Sequence, residues 1–217
     1  MAAATQRNLK VFLKKYSTYM LQALNNTDIF FSVMWGQACW ESEYGKSNIA
    51  KNKNNFFGVM NGNSYQSFSS PEEAFSEQIK LFYNPKYPYL DNGVDTATTP
   101  YEQIKAISNS GYYSMTNDST LAGNNVKVTK GYQWSGYTWD GHKWAGSHFT
   151  DKQSAAHYYN TLKGMIDNCL FVFPLGKVND SNLSGAVADI SNLDSPVGIL
   201  APVESIVKSN EIFGIQI

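Results

Sequence analysis

One carboxylic acid in this sequence stands where its surroundings could change its chemistry. Residues 30 to 40 read FFSVMWGQACW, almost without polar side chains, and Glu41 follows them directly. A carboxyl group that loses contact with water at the end of an apolar helix is harder to ionise, so its pKa rises. Such a group keeps its proton near neutral pH and can act as a general acid. Glu41 is therefore the first candidate catalytic residue, and the competing interpretation is a glutamate at a helix end that simply faces water.

A reaction that needs such an acid is the cleavage of a glycosidic bond, because the leaving oxygen must be protonated as the bond breaks. Aromatic residues make up 14% of the chain, including 14 tyrosines and 5 tryptophans. They suit a packed core, and they also suit a carbohydrate site, where sugar rings stack their flat faces on aromatic rings. Four of them lie near Glu41 in sequence and could form an apolar wall: Trp40, Tyr44, Phe56 and Phe57.

A second aromatic group lies in the stretch YQWSGYTWDGHKWAGSHF, residues 132–149. Its alternation around Asp140 and Gly141 predicts a β-hairpin with a two-residue turn. That register places four residues on one face of the ribbon, with Trp139 opposite His142 and Tyr137 opposite Trp144. The ribbon either packs on the domain or forms a wall that stacks on sugars. In the second case it supplies three candidate substrate-binding residues: Tyr137, Trp139 and Trp144.

Several helices must position these residues. Apolar residues at three- and four-residue spacing predict an amphipathic helix over residues 6–25. Asp28 is predicted to cap a central helix that starts at Ile29 and ends near Glu41, with Gly45 as its C-terminal stop. A loop and a short hairpin with Asn61-Gly62 as its turn are predicted next. Three further helices are predicted from the stretches SSPEEAFSEQIKLFY, PYEQIKAISN and DKQSAAHYYNTLKGMIDNCL.

Charge and cysteine content exclude several classes of protein. The net charge is −1, and the 17 basic residues include a single arginine, which argues against a nucleic-acid partner. No stretch approaches the ~20 apolar residues of a membrane span, so no membrane insertion is expected. The two cysteines and three histidines lack metal-ligand spacing, and we predict no metal and no cofactor. Cys39 is interpreted as a small buried apolar residue rather than a disulfide partner of Cys169.

The stretch QACWESEYGKSNIAKNKNNFFGV, residues 37–59, resembles the signature of glycoside hydrolase family 73, the bacterial and phage endo-β-N-acetylglucosaminidases that cleave peptidoglycan. Its matching residues are Gln37, Glu41, Ser42, Tyr44, Gly45, Asn55, Phe57 and Gly58. Three further segments match in the family's order: YQSFSSPEEAFSEQIKLFYNPKYPYL, AISNSGYYS and AHYYNTLKGMI. Together the four segments span about residues 9–168, and their common order makes the resemblance far more specific than one motif alone.

The resemblance implies a mainly α (α+β), lysozyme-like domain over residues 1–168, with a short β-hairpin lobe and the aromatic ribbon of about residues 115–150 as an insertion. It implies cleavage of the β-1,4 bonds of peptidoglycan, with Glu41 as general acid. Tyr112 takes the place of an active-site tyrosine that positions the acetamido group or a water, although it could instead be a buried structural residue. Three residues are implied to bind substrate: Gln37, Tyr44 and Phe57, the last of which could equally belong to the core.

The sequence departs from the family at the second acid, which members often carry in the β-lobe. Here VMNGNSYQSF contains no Asp or Glu. Glu72 and Glu73 are interpreted as capping acids of the next helix, and Asp118 and Asp140 are weaker candidates in the ribbon. Without a second carboxylate, either the substrate's 2-acetamido group or its C6 hydroxyl could act as internal nucleophile. The first gives hydrolysis and the second gives a lytic transglycosylase, and both remain open.

Residues 169–217 are rich in Gly, Ser, Asn and Pro, and we expect this tail to pack on the domain or on a partner subunit. The N-terminal stretch carries lysines where a secretory signal would need its apolar core. We therefore expect a protein made in the cytoplasm that reaches the cell wall as a phage lysin, as a virion component or by export without a signal peptide. The alternative is a catalytically weak, wall-binding or structural part of a phage or secretion particle.

Overall fold

The computed structural model describes residues 3–112, 130–131, 133–134, 137–139, 141–142, 144–145 and 151–192. In this part of the chain the fold is mainly helical with two small antiparallel sheets, which confirms the predicted α+β architecture and is consistent with a lysozyme-like domain. The helices are α1 Ala3–Leu24, α2 Phe31–Glu41, α3 Asn48–Lys53, α4 Pro71–Phe82, α5 Pro100–Asn109, α6 Asp151–Val172 and α7 Leu183–Ser191. The strands are β1 Met60–Asn61, β2 Ser64–Tyr65, β3 Gln133–Trp134, β4 Tyr137–Trp139 and β5 Trp144–Ala145. None of the described helices combines the length and the apolar character that crossing a membrane requires.

Helix α2 lies at the centre of the core, as its nearly all-apolar sequence predicts. Every residue of Phe31–Cys39 is buried. Its main neighbour is α6, and the two helices approach closely at Gly36, where a Cβ would lie 3.3 Å from Cβ of Met165. Both thiols of this region, Cys39 and Cys169, are buried and free, and burial raises the pKa of each. The close packing fixes the C-terminal end of α2 relative to α6.

The start of α2 differs from the prediction, because Asp28 does not cap it. The helix begins at Phe31, and its N-cap residue Phe30 makes no side-chain cap. A side chain of α5 takes that place: the Phe30 N–H donates to Oε1 of Gln103 at 2.9 Å, and Nε2 of Gln103 donates to the Asp28 carbonyl at 2.9 Å. The Asp28 carboxylate instead lies 3.6 Å from Nζ of Lys177. The side chain of Gln103, distant in sequence, thus bonds the backbone groups at the start of α2 that Asp28 was predicted to cap.

The end of α2 is a left-handed turn that begins two residues after Glu41. Three successive residues have positive φ: Glu43 (52°), Tyr44 (59°) and Gly45 (72°). Ser42 stabilises the turn, since its hydroxyl donates to the Ala38 carbonyl and accepts from the Gly45 N–H at 2.8 Å. Left-handed backbone costs a non-glycine residue about 1–2 kcal/mol, so this turn is held by its surroundings. The chain therefore leaves α2 immediately after the candidate acid.

Replacement of Gly45 tests how tightly this turn is built. A Cβ on Gly45 would lie 2.8 Å from Cε2 of the buried Tyr16, and φ is unfavourable as well. We expect Gly45→Ala to lower the free energy of unfolding by roughly 2–4 kcal/mol, measured by urea denaturation. Gly58 is a matched control, because its φ is +69° and nothing lies within 4 Å of its Cβ position. Gly58→Ala should cost only about 1–2 kcal/mol, and an equal loss in both variants would contradict the steric argument.

The segment after the turn is more regular than the loop that we predicted. Ser47 caps helix α3 by accepting from the Ala50 N–H. Six residues are too few to show a helical period in the sequence, which explains the wrong prediction. The β1–β2 hairpin is present, but Asn61 pairs with Ser64. Its turn residues are therefore Gly62 and Asn63 rather than Asn61 and Gly62, with φ of +61° at Gly62.

Asn55 holds this small lobe to the domain from inside. Its side chain is fully buried, and Nδ2 donates to the carbonyls of Val59 and Gln66 at 2.8 and 2.9 Å. Its Oδ1 accepts from the Val59 N–H at 2.9 Å. One side-chain amide thus bonds three backbone groups, at the residues directly before and after the β1–β2 hairpin. This gives a structural reason for an asparagine at position 55 of the segment that resembles family 73.

The described part of the segment after residue 168 packs on the domain. Helix α6 continues to Val172, and the Gly176 carbonyl then accepts from the Phe31 N–H at 3.2 Å. Helix α7, which the sequence did not suggest, lies against α1 and buries Ala186 and Ile190. The first part of the predicted tail therefore completes the core around the start of α2.

The aromatic ribbon contains three antiparallel strands in the order β3-β4-β5. The predicted two-residue turn is wrong, because Trp139 pairs with Trp144 and Thr138 with Ala145. Four residues rather than two therefore separate the paired Trp139 and Trp144. Strand β4 also pairs with β3, with Trp134 opposite Tyr137. A local turn preference does not fix the register when a third strand must be matched as well.

Candidate active site

Glu41 is half-buried at the end of α2 and is held by a residue of α6. The Tyr158 hydroxyl donates to Oε1 of Glu41 at 3.0 Å. Gln37 lies one helical turn before Glu41 on the same face of α2, and its Nε2 donates to the Tyr158 hydroxyl oxygen at 3.1 Å. These two hydrogen bonds form a short chain that fixes the rotation of the Glu41 carboxyl.

Tyr112 completes a cluster around this carboxyl. Its ring stacks on that of Tyr158, with centroids 5.4 Å apart and an interplanar angle of 22°. Gln78, a buried residue of α4, donates through Nε2 to the Tyr112 hydroxyl at 3.2 Å. The site therefore draws its side chains from α2, α4, α6 and the turn after α5, so that four separate parts of the sequence must fold together to form it.

Both tyrosines of the cluster are held in the protonated state. Burial raises the pKa of Tyr112 well above its ordinary value, and the negative charge of Glu41 raises it further. The pKa of Tyr158 is raised by burial first, then by the charges of Glu41 and Tyr112. Each hydroxyl consequently keeps its proton throughout the neutral range and can donate a hydrogen bond. The Tyr158 hydroxyl donates its hydrogen bond to Glu41. The Tyr112 hydroxyl accepts a hydrogen bond from Gln78 and can still donate one to a ligand.

Three residues that we expected to bind substrate are placed in or against the core. Gln37 has 0% exposure, and its amide supports Tyr158. Tyr44 is half-buried, with its hydroxyl 3.9 Å from Sδ of Met165. Phe57 is buried against Phe75, at 6.0 Å between ring centroids. The aromatic side chain next to Glu41 that does face solvent is Trp40, at 40% exposure.

The expected ribbon residues are described by their backbone alone. The side chains of Tyr137, Trp139 and Trp144 lie outside the described part of the chain, and their contact with sugars stays a prediction. Asp118 and Asp140, the weaker candidates for a second acid, also lie outside the described residues.

Glu73 has a structural partner, as its position in the sequence predicts. Its Oε2 accepts from the N–H and the hydroxyl of Ser69 at 2.6 and 2.7 Å, and these hydrogen bonds lower its pKa. Glu72 lies beside it in the first turn of α4 and is exposed. Glu73 is therefore an ionised helix cap rather than a second catalytic acid.

The sequence alone did not identify two members of the cluster, Tyr158 and Gln78. Tyr158 lies in the closing segment AHYYNTLKGMI, where an aromatic residue on an apolar helix looks like core. Gln78 lies on the face of α4 that also carries Phe75 and Phe82, all of them buried. A polar residue inside an apolar stripe must find a partner, and this was the available signal for Gln78.

Replacement of Tyr158 tests the role of its hydroxyl. Tyr158→Phe keeps the ring but removes the donor to Glu41, and we expect kcat to fall about 10- to 100-fold because the acid is less well oriented. A hydrogen bond to a carboxylate favours the ionised form, so its loss should move the alkaline limb of the pH–activity profile to higher pH. Tyr19→Phe on the exposed face of α1 should change neither quantity. An unchanged pH profile in Tyr158→Phe would show that the hydroxyl does not act on the acid.

Comparison with protein families gives one match. Residues 17–170 match the Glucosaminidase family, described as mannosyl-glycoprotein endo-beta-N-acetylglucosaminidase. No curated protein and no solved structure matches the chain. The family match covers more than half of the sequence and includes Glu41, Tyr112 and Tyr158. The chain therefore belongs to the glucosaminidase family, glycoside hydrolase family 73, and is a glycoside hydrolase of the endo-β-N-acetylglucosaminidase type.

Proposed function

We propose that this protein hydrolyses the β-1,4 bonds of peptidoglycan on the reducing side of N-acetylglucosamine, with Glu41 as general acid. The family match makes it a peptidoglycan glycosidase. The observation that carries the assignment to Glu41 is the 3.0 Å hydrogen bond from Tyr158, because it orients one half-buried carboxyl beside two protonated tyrosines, Tyr158 and Tyr112. Trp40 supplies an exposed ring beside it on which a sugar can stack.

In the proposed reaction, protonated Glu41 gives its proton to the glycosidic oxygen while the bond from C1 to that oxygen breaks. The β-lobe sequence between Gly58 and Pro71 contains no carboxylate, so no residue there can act as a nucleophile of the usual kind. We propose that the carbonyl oxygen of the substrate's 2-acetamido group attacks C1 and forms a cyclic intermediate. Water then attacks C1, the ring reopens, and the proton of that water returns to Glu41.

Tyr112 fits the second half of this proposal. Its hydroxyl is protonated, and its ring stacks on that of Tyr158, whose hydroxyl donates to Glu41. A donor at this position can hold the acetamido group in line with C1 or orient the incoming water. Gln78, by donating to the same hydroxyl, leaves the tyrosine proton available for that purpose.

Analysis of the products tests the bond and the reaction together. Purified peptidoglycan is digested, reduced with borohydride and examined by mass spectrometry. We expect reduced N-acetylglucosamine at the new chain ends. Reduced N-acetylmuramic acid would show cleavage at the other bond, and 1,6-anhydro ends would show a lytic transglycosylase. An absence of products from the unmodified protein would favour a wall-binding or structural role.

We also propose a place of action, the cell wall of a bacterium that a phage infects or leaves. The support is the resemblance, which covers bacterial and phage enzymes alike, and a sequence with one arginine and abundant asparagine, a bias typical of AT-rich genomes. Contact with other particle subunits through the C-terminal tail, residues 169–217, is part of this proposal. Mass spectrometry of purified virions tests it: finding the chain among virion proteins supports a particle component, and finding it only in lysates supports a free lysin.

A further inference from the structure

Gln37 is a polar residue inside the buried apolar run Phe31–Cys39 of α2, and it has no exposed surface. Its Nε2 donates to the Tyr158 hydroxyl at 3.1 Å, whereas its Oε1 has no hydrogen-bond partner in the described part of the chain. Buried polar groups are almost always satisfied. A buried amide with one unsatisfied end needs an explanation, and the hydrogen bond that it does make supplies one.

The Gln37 amide determines the direction in which the Tyr158 hydroxyl donates. Burial raises the pKa of Tyr158, so the hydroxyl keeps its one proton and can donate one hydrogen bond. An amide N–H cannot accept a hydrogen bond. While Nε2 of Gln37 faces the hydroxyl, the Tyr158 proton therefore cannot turn towards Gln37, and it is directed to Oε1 of Glu41 at 3.0 Å.

The direction of this hydrogen bond matters most when Glu41 is protonated. In a protonated carboxyl group one oxygen carries the proton, and the other is a carbonyl oxygen that accepts. A hydrogen bond from Tyr158 to Oε1 favours Oε1 as the carbonyl oxygen and Oε2 as the oxygen that carries the proton. Oε2 then gives this proton to the glycosidic oxygen, and Glu41 becomes a carboxylate.

The opposite orientation of the amide would misdirect the acidic proton. If Oε1 of Gln37 faced Tyr158, the hydroxyl could donate to Gln37 and accept the proton of Glu41. That proton would then lie between Glu41 and Tyr158 instead of on the oxygen that serves the substrate. This arrangement would also leave the Nε2 hydrogens without the Tyr158 acceptor, and among backbone groups an unpaired buried N–H is rarer than an unpaired carbonyl. The observed orientation is therefore the favoured one.

We propose that Gln37 is a positioning residue that determines, through Tyr158, which oxygen of Glu41 carries the catalytic proton. This inference rests on the proposed role of Glu41 as general acid. It gives Gln37 a part in the reaction although its side chain has no surface that a substrate could contact.

Infrared spectroscopy tests the position of the proton without any substrate. The C=O stretch of protonated Glu41 is identified by comparing pH-difference spectra of the unmodified protein and of Glu41→Gln. A carbonyl that accepts a hydrogen bond absorbs at a lower frequency than one that accepts none. We expect Tyr158→Phe to raise this frequency. Gln37→Met should add a second band at higher frequency, from molecules in which Oε1 carries the proton.

Gln22 provides the matched control, because it is exposed on α1. Gln22→Met should leave the single band of the unmodified protein unchanged. A single unshifted band in Gln37→Met as well would overturn the proposal, since the proton would then keep its place without the amide.

Cleavage assays connect the position of the proton to the reaction. Gln37→Met should lower kcat on peptidoglycan about 2- to 10-fold, the effect of one hydrogen bond, and leave KM nearly unchanged. In the Tyr158→Phe background the same replacement should lower kcat no further, because the hydroxyl through which Gln37 acts is absent. An equal loss of kcat in both backgrounds would show that Gln37 acts by packing alone.

Melting temperatures complete the comparison. Gln37→Met removes a hydrogen bond from the unmodified protein, whereas in the Tyr158→Phe background it removes a buried amide that has lost its partner. We expect a lower melting temperature in the first background and an unchanged or higher one in the second. If the unmodified protein cleaves no peptidoglycan, the proposed function fails, while the infrared bands still decide whether Gln37 places the proton.

Discussion

Replacement of Glu41 by Gln should reduce cleavage of purified peptidoglycan about 10²- to 10⁴-fold, the range that general acids contribute. The amide keeps the size of the carboxyl and can still accept the Tyr158 hydrogen bond through its oxygen. It has no acidic proton to give to the leaving oxygen. The loss should therefore appear in kcat, with little change in KM or in the melting temperature, and it is measured by release of reducing ends.

A matched control lies two residues further along the chain. Glu43 is exposed in the left-handed turn that follows α2, so Glu43→Gln removes the same charge from the same neighbourhood. We expect it to retain nearly full activity. More than a tenth of the original activity in Glu41→Gln, or a comparable loss in Glu43→Gln, would remove Glu41 from the role of general acid.

Asn55→Ala should be among the most destabilising single substitutions in the β-lobe region. It removes three hydrogen bonds and leaves two backbone groups without their partner, the Val59 N–H and the Gln66 carbonyl. The Val59 carbonyl still accepts from the Gln66 N–H at 2.9 Å. Each buried group without a partner costs about 1–3 kcal/mol, and the lobe should relax in part, so the free energy of unfolding should fall by roughly 2–4 kcal/mol. Urea denaturation followed by fluorescence measures this change.

Asn52 provides the comparison for Asn55. It is exposed on α3, three residues away, and alanine is the better helix former there. Asn52→Ala should change the free energy of unfolding by no more than about 0.5 kcal/mol. If Asn55→Ala were equally mild, the three hydrogen bonds would not be what holds the lobe in place.

The sequence predicted those parts of the fold that depend on local pattern. The apolar run before Glu41 identified the buried helix and its abrupt end. The stretches SSPEEAFSEQIKLFY and PYEQIKAISN identified α4 and α5, whose capping residues in the structure are Ser70 and Thr99. Patterns of this kind are readable because one helix face, or one turn, determines them. Glu41 was predicted by the same local reasoning, because a carboxyl group that directly follows a buried apolar run is expected to lie at the edge of the core.

The features that the sequence did not predict depend on partners far away in the chain. Gln103 replaces Asp28 at the start of α2 from 73 residues beyond Phe30, and Tyr158 reaches Glu41 across 117 residues. No local pattern distinguishes such a tyrosine from a core residue. The ribbon register differs for another reason: strand β4 pairs with β3 on one side and with β5 on the other, so the Asp-Gly signal alone does not define the register. Long-range hydrogen bonds, rather than propensities, thus complete the site.

The dependence of the site on late parts of the chain has a consequence during synthesis. The Phe31 N–H that begins α2 is paired by Gly176, and the Glu41 carboxyl is oriented by Tyr158. At about 5–20 residues per second, a growing chain needs roughly 7 to 27 seconds to progress from Glu41 to Gly176. During that interval Glu41 has been synthesised, but the hydrogen bonds from Tyr158 and to Gly176 have not all formed. We therefore expect a copy that ends before Tyr158 to lack glycosidase activity, because the hydrogen bond that orients the acid would be missing.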